Sequence, residues 1–227
     1  MVPKTYEFRK AVAEYINQVG GLYHQIDLGD GLIIKGEYDL SKVLHHYNLP
    51  ADLSGKTVLD IGTAAGFFAL ECTKRGADVT AIDLWPPYTL NELKRALGIE
   101  FKYVQKSIYD LDACFGKFDL VICGSLLLHL RDIFGAIQKI REVCTGEAII
   151  STAASNYPQC AEVACCEFIG AHNGEWAYWG VNAAGLGKML LVSGFSSVSE
   201  PRYFTLRSEP GWHDYAVPHI VMSAKII

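Results

Sequence analysis

Five short runs of β-branched and apolar residues follow one another through the middle of the chain, and they leave few folds open. They are residues 58–62 (VLDIG), 79–84 (VTAIDL), 101–105 (FKYVQ), 118–124 (FDLVICG) and 147–152 (EAIIST), with helix-sized or turn-sized segments between them. Runs that are apolar almost throughout read as strands buried on both faces, and alternation with helices predicts crossover units. The fold class is therefore α/β, a doubly wound and mostly parallel sheet. The intervening segments agree. Asp132 is placed to cap a helix that puts Ile133, Ala136, Ile137, Ile140 and Val143 on one face and closes at Thr145-Gly146. Asn182 caps a second helix containing Leu186, Met189 and Leu190, stopped by Gly194, and the segments SSVSEPRYFTL and YAVPHIVMSAKII read as a final antiparallel strand pair.

The region before this pattern, residues 1–53, reads as a decoration of the same domain, which itself covers residues 54–227. Tyr6, Val12, Tyr15, Ile16 and Val19 lie among charges as an amphipathic helix ended by Gly20-Gly21. The stretch YHQIDLGDGLIIKGEYD is expected to form a loop or hairpin, followed by a helix near Leu40 to Tyr47.

With 227 residues, half of them hydrophobic, the chain can build one substantial core. Its net charge of -5 argues against a nonspecific nucleic-acid surface, because such affinity comes from clustered Lys and Arg. No apolar run reaches the roughly 20 residues of a membrane span, and no signal-peptide pattern opens the chain. A soluble, cytoplasmic protein is expected. The seven cysteines lack CxxC spacing and read as reduced thiols. A zinc cluster of Cys160, Cys165, Cys166 and His172 is disfavoured because adjacent cysteines rarely close a tetrahedral site; no metal is expected.

The segment 58–68, VLDIGTAAGFF, carries the most chemistry. Gly62 and Gly66 permit a tight strand-to-helix turn and close approach of a ligand to backbone, and Asp83 closes the next strand 17 residues beyond Gly66. A carboxylate there can accept from both hydroxyls of a ribose. A glycine turn by itself is ordinary, but this one is D-x-G-x-x-x-G and lacks the G-x-G-x-x-G triplet of dinucleotide-binding proteins. The form, with an acid ending the following strand, resembles motif I of the class I S-adenosylmethionine-dependent methyltransferases. That resemblance implies a Rossmann-like fold with S-adenosylmethionine as cofactor. Asp60, Gly62, Thr63, Ala64, Gly66 and Phe67 would then line the loop around the methionine and ribose. Asp83 and Leu84 would follow at the ribose, Ser107 and Ile108 near adenine, and Gly124 and Ser125 beside the sulfonium. Ser107 departs from the family's usual acid, and Asp110 is a weak substitute.

Four segments, YHQIDLGDG, DLSGKTVLDIGTAAGFF, LLLHLRD and GLGKMLLVSGF, together resemble the group related to the bacterial tRNA wobble-uridine carboxymethyltransferase, a group that includes small-molecule enzymes. That tRNA enzyme has a tyrosine where Leu128 stands, and the tyrosine helps to hold the extra carboxylate of its cofactor. Leu128 cannot make that hydrogen bond. Ordinary S-adenosylmethionine and a small acceptor are therefore expected, with nucleic acid and membrane partners disfavoured and the oligomeric state open.

Methyl transfer from a sulfonium is an in-line displacement, so a protein has to align the groups, exclude water and remove one proton from some acceptors. His129, just beyond the fourth strand, is the first candidate base, set against a purely structural turn role. His24 is the second, on an N-terminal segment that the resemblance places over the site as a lid. Tyr23, His24, His172, Glu175, Trp176 and Trp179 are candidate acceptor-binding residues, an aromatic set that also suits plain cover on a sheet edge. His213 and His219 read as structural. Trp85 is read either as an adenine stack or as packing on the adjacent helix. The competing functions are tRNA modification, a cofactor-binding module without turnover, and, disfavoured by the glycine spacing, an NAD oxidoreductase.

Overall fold

A computed structural model describes residues 4–85, 89–155, 162–170 and 177–226. The first helix, α1 (Tyr6–Gln18), buries Arg9, Val12, Ala13 and Ile16. Gly20 and Gly21, both at positive φ, turn the chain out of it. The following stretch resolves into four short strands: β1 (Leu22–His24), β2 (Ile26–Asp27), β3 (Ile33–Ile34) and β4 (Gly36–Tyr38). β2 and β3 form an antiparallel ladder, while β1 and β4 pair in parallel. Arg9 ties α1 to the intervening turn, donating from Nη1 to the Leu28 carbonyl at 2.6 Å and pairing with Asp30.

The helix expected near Leu40 to Tyr47 is instead two 3₁₀ turns, Leu40–Lys42 and Leu44–Tyr47. Asp39 caps the first by accepting from the Ser41 amide. Val43, at φ −116°, interrupts the run, and Asn48 ends the second turn in the left-handed region. Val, two His and Asn are modest helix formers, and Pro50 bars continuation, so no α-helix competes.

The five expected strands all form. β5 (Thr57–Ile61), α2 (Phe67–Lys74), β6 (Asp78–Asp83), α3 (Leu90–Leu97), β7 (Lys102–Gln105), β8 (Phe118–Gly124), α4 (Ile133–Val143) and β9 (Cys144–Ala153) make the parallel body. β10 (Cys166–Phe168) and β11 (Trp179–Val181) form a separate antiparallel ladder, followed by α5 (Ala183–Val192). The C-terminal pair becomes three strands. β12 (Ser197–Val198) and β13 (Arg202–Arg207) both run along β14 (Ala216–Lys225), which is antiparallel to β9.

The main sheet is ordered β7-β6-β5-β8-β9-β14, with β12 and β13 on the outer edge of β14. Its order reverses at β5, so a crevice opens between the carboxyl ends of β5 and β8, where doubly wound sheets bind ligands. Two apolar layers hold the sheet. Val58, Leu120, Ile122, Ile149 and Val221 face α2, α3 and the N-terminal segment, while Leu59, Ile61, Val121, Ile150 and Ile220 face α4 and α5. Each large side chain contributes on the order of 1.5–3 kcal/mol by leaving water.

Both caps read from the sequence are present: Asp132 accepts from the Gly135 amide and Asn182 from the Gly185 amide, each at 2.8 Å. The stop expected at Thr145-Gly146 falls inside β9 instead, because α4 passes straight into that strand at Cys144. Gly146 lies against the Asp119 carbonyl, which a β-carbon would overlap. Among the described residues, no helix is long and apolar enough to cross a membrane.

Candidate functional site

The loop from β5 to α2 is fixed from both sides. The amides of Gly62 and Thr63 donate to the Ile82 carbonyl at 2.9 and 3.1 Å, and the Gly66 amide donates to the Thr63 carbonyl at 2.7 Å. Gly62, Ala64 and Gly66 all have positive φ, at 73°, 45° and 87°. Glycine takes that region without penalty, whereas Ala64 needs support from its surroundings. Asp60, buried at the end of β5, receives Thr63 Oγ1 at 2.7 Å and the Ala69 amide at 3.0 Å on Oδ2. Its Oδ1 is buried with no protein partner. Burial pushes this carboxyl up to about 7, against the pull of those two hydrogen bonds and aided by the negative charge of Asp83.

Asp83 ends β6 and supports Ala64 directly. Its Oδ2 accepts from the Ala64 amide at 2.9 Å, and Oδ1 accepts a long contact, 3.3 Å, from the Trp85 amide. Leu84 and Trp85 follow in the open, Trp85 with 79% of its surface exposed, so it packs on no neighbouring helix. Ser107 caps a single turn, Ile108–Asp110, accepting from the Tyr109 amide at 3.2 Å, and Ile108 is buried beneath it.

Across the crevice, β8 ends at Gly124, whose missing side chain leaves room for the Phe68 ring. Ser125 then turns left-handed at φ 59°. Its amide donates to Ser151, to both the carbonyl and Oγ at 3.0 Å. Ser151 Oγ also lies 2.8 Å from the Tyr47 hydroxyl and 3.2 Å from Ser125 Oγ. Leu126, next along, covers Gly62, its side chain 3.1–3.3 Å from where a β-carbon on that glycine would stand. Sequence reasoning passed over Tyr47 and Ser151. The available signal was the polar pair Ser151-Thr152 directly after the apolar run Ala148-Ile149-Ile150.

The candidate acceptor residues fall into three groups. Tyr23 and His24 lie together on β1, with ring centroids 4.8 Å apart, and His24 meets the Phe67 ring edge-on at 6.1 Å. Phe67 is thereby turned towards the N-terminal segment. Burial lowers the His24 imidazole to about 3, so it is neutral at pH 7, and its Nδ1 is buried without a partner. His129 ends a 3₁₀ turn, Leu127–His129, and is exposed at the carboxyl end of β8, with its amide bonded to the Leu126 carbonyl. Trp179 Nε1 donates to the Arg131 carbonyl at 3.1 Å, which places the indole behind that turn. His172, Glu175 and Trp176 lie outside the described residues, as does Cys160 of the imagined zinc set. No cluster of metal-binding side chains occurs among the described residues.

His219 proves deeply buried on β14. Its Nδ1 lies 2.9 Å from the Val217 carbonyl, and its ring stacks on Phe204 at 5.2 Å. Burial holds its pKa down at about 4, so the ring is neutral and Nδ1–H is the donor.

The crevice is chemically matched to a nucleoside that carries a cationic amino-acid arm. Asp83 offers a carboxylate oxygen with spare lone pairs, and Asp60 a buried oxygen at the loop's base without a hydrogen-bond partner among the described residues.

Residues 59–151 match the family described as methyltransferase domain. A ubiquinone biosynthesis O-methyltransferase of Rickettsia bellii is 29% identical over 154 residues, 64% of this chain and 60% of that protein. One of the same name from Xanthomonas oryzae pv. oryzae is 37% identical over 94 residues, covering 39% and 38%. The matched region thus spans 60% or less of these relatives' length. Among solved structures, the N-terminal domain of EvdMO1 with SAH bound superposes with a TM-score of 0.68 at 15% identity, covering 96% of this chain and 97% of that one. The 1,6-didemethyltoxoflavin-N1-methyltransferase of Burkholderia thailandensis, with bound 1,6-didemethyltoxoflavin and S-adenosylhomocysteine, gives a TM-score of 0.57 at 23% identity over 82% of this chain and 76% of that one. The strand order and the solved structures agree on a Rossmann-like fold, within which residues 59–151 are similar to a methyltransferase domain.

Proposed function

We propose that the protein transfers the methyl group of S-adenosylmethionine to a small-molecule acceptor. The observation that carries this reading is the crevice at the sheet's reversal point, where the left-handed Ala64 loop is tied to the Asp83 carboxylate. The cofactor supplies an electrophilic methyl on a sulfonium. Asp83 accepts from the ribose hydroxyls, and the loop of Gly62, Thr63, Ala64 and Gly66 admits the methionine arm. Asp60 compensates the positive charge of that arm with the carboxyl whose Oδ1 has no protein partner. Leu84 borders the ribose, Ser107 and Ile108 border adenine, and Gly124 and Ser125 form the opposite wall.

The acceptor enters over the carboxyl ends of β8 and β9, between the turn of Leu127–His129 and the N-terminal segment of Tyr23 and His24. Residues 1–53 act as its lid. The lid and the apolar residues around the crevice exclude water, which strengthens every polar contact inside. The relatives' names make hydroxyl-bearing acceptors the first class to test. A hydroxyl must lose its proton as the bond to the methyl forms, and His129 is the proposed base. His24, neutral and buried, suits hydrogen bonding to the acceptor better than charge-forming chemistry.

The resemblance to the tRNA-modifying group carries less weight for the reaction. Leu128, where that enzyme has its tyrosine, is buried and apolar. The test begins with calorimetric titration of S-adenosylhomocysteine into the protein. Labelled methyl transfer from S-adenosylmethionine to catechols, aromatic amines and unmodified tRNA follows. Transfer to a small molecule supports the reading; transfer to tRNA alone, or no binding of S-adenosylhomocysteine, overturns it.

A further inference from the structure

Ser125 is a non-glycine residue in the left-handed region, at φ 59°, and a residue holds that conformation only where its surroundings over-determine it. The restraint here comes from Ser151, which takes the Ser125 amide on its carbonyl and on Oγ. Ser151 Oγ is itself oriented from the far side by the Tyr47 hydroxyl at 2.8 Å. Tyr47 is fully buried and its ring is fixed by packing, 4.7 Å from Phe68 and 5.7 Å from Phe204. The next residue after Ser125 is Leu126, whose side chain covers Gly62 of the opposite loop. One hydroxyl from the N-terminal segment is thereby connected, through one serine, to the wall that sets the width of the crevice.

The hydroxyl count supports a directed chain. Ser151 Oγ has one proton and two lone pairs, and one lone pair is taken by the Ser125 amide. If Tyr47 donates to Ser151, Ser151 donates to Ser125 Oγ; in the reverse sense, Ser125 donates to Ser151 and Ser151 to Tyr47. In both arrangements all three hydroxyls are engaged, and removing the Tyr47 oxygen leaves Ser151 short of a partner in a buried site, where that loss is costly.

We infer that Tyr47 is a positioning residue: acting through Ser151, it holds Ser125 left-handed and so keeps the wall of residues 124–126 in the shape that admits the cofactor. The inference rests on the proposed function for the statement that this wall faces S-adenosylmethionine.

The test uses Tyr47→Phe, which keeps the ring and its packing, with Ser151→Ala breaking the same link from the other end. Two readouts are taken on the unliganded full chain and with S-adenosylhomocysteine as probe: hydrogen exchange of the peptide spanning residues 124–128, and affinity by calorimetry. Both variants are expected to speed exchange at the Ser125 amide by about ten-fold or more. Both are expected to weaken S-adenosylhomocysteine by roughly three- to ten-fold, because the competent loop becomes one conformer among several. A third variant separates positioning from general loosening. Ser125→Gly adopts positive φ without help, so in that background Tyr47→Phe is expected to change affinity by less than about two-fold. Equal losses of affinity in the Ser and Gly backgrounds, or faster exchange with unchanged affinity, overturn the inference. Failure of the wild-type protein to bind S-adenosylhomocysteine refutes the proposed function instead, while the exchange data still report on the hydrogen-bonded chain.

Discussion

The Ala64 amide donates to Asp83 Oδ2 at 2.9 Å, so the carboxylate that ends β6 also holds the loop that follows β5 in its left-handed turn. Asp83→Ala removes the proposed acceptor for the ribose and the support for Ala64 together, and is expected to weaken S-adenosylhomocysteine by roughly 1.5–3 kcal/mol, the range for hydrogen bonds to a charged group. Asp83→Asn keeps an oxygen for Ala64 and loses the charge, so it should fall between the wild type and Asp83→Ala in calorimetry. Unchanged affinity in both variants would remove Asp83 from the ribose site.

Gly62 meets two demands at once, φ 73° and the close approach of Leu126. Gly62→Val is expected to lose cofactor binding in calorimetry, because a branched side chain would push Leu126 and the wall of residues 124–126 out of place. The backbone strain should also lower stability by about 1–3 kcal/mol, read from a denaturant melt. A folded variant with wild-type affinity would contradict the assignment of this loop to the cofactor.

The parts of the site that sequence disclosed are those whose chemistry is local. Gly62, Gly66 and Asp83 announce a turn and an acid at a strand end, and the caps at Asp132 and Asn182 are read from single residues beside apolar stripes. The contact of Tyr47 with Ser151 joins residues 104 positions apart, and nothing in the local pattern of either predicts it. The segment from Leu40 to Tyr47 departs for a local reason, its weak helix formers just ahead of Pro50. Its apolar spacing suits a helix, yet the structure makes two 3₁₀ turns there and buries Tyr47 against Phe68 and Phe204. His219 shows the converse: a strand residue read as structural is buried and neutral, and its Nε2 has no partner.

Asp60 is expected to give stability a pH dependence of defined sign. Its carboxyl stands at about 7 in the folded protein against 3.8 for an unperturbed group, because burial disfavours the anion. Between about pH 4 and about pH 7 the unfolded chain has released this proton and the native chain retains it. Stability therefore falls as pH rises through that window and levels off above it. Asp60→Asn, which resembles the protonated form, is expected to flatten that part of the profile in urea melts taken from about pH 4 to about pH 8. The cationic arm of the cofactor should favour the anion, so S-adenosylhomocysteine affinity in the wild type is expected to rise with pH across the same range and to do so less in the variant. A variant that retains the full wild-type slope would assign the dependence to other groups.

His129 stands at the carboxyl end of β8, exposed at the turn that follows Ser125 and Leu126, whereas His24 is buried against Phe67 and held neutral. If His129 takes the acceptor's proton, His129→Ala should lower turnover on a hydroxyl acceptor by about 100-fold or more, the size of a general-base effect. Affinity for S-adenosylhomocysteine should stay near the wild-type value, because the loss belongs to the reaction step. The acidic limb of the wild-type pH-rate profile should disappear in the variant. His24→Gln, which keeps hydrogen-bonding capacity without a titratable ring, is expected to raise KM more than it lowers kcat. Near-normal turnover in His129→Ala with the acidic limb intact would eliminate His129 as the base. Parallel loss of turnover and cofactor affinity would instead make His129 a residue that shapes the end of β8, and the proton would then have to leave through His24 or directly to water.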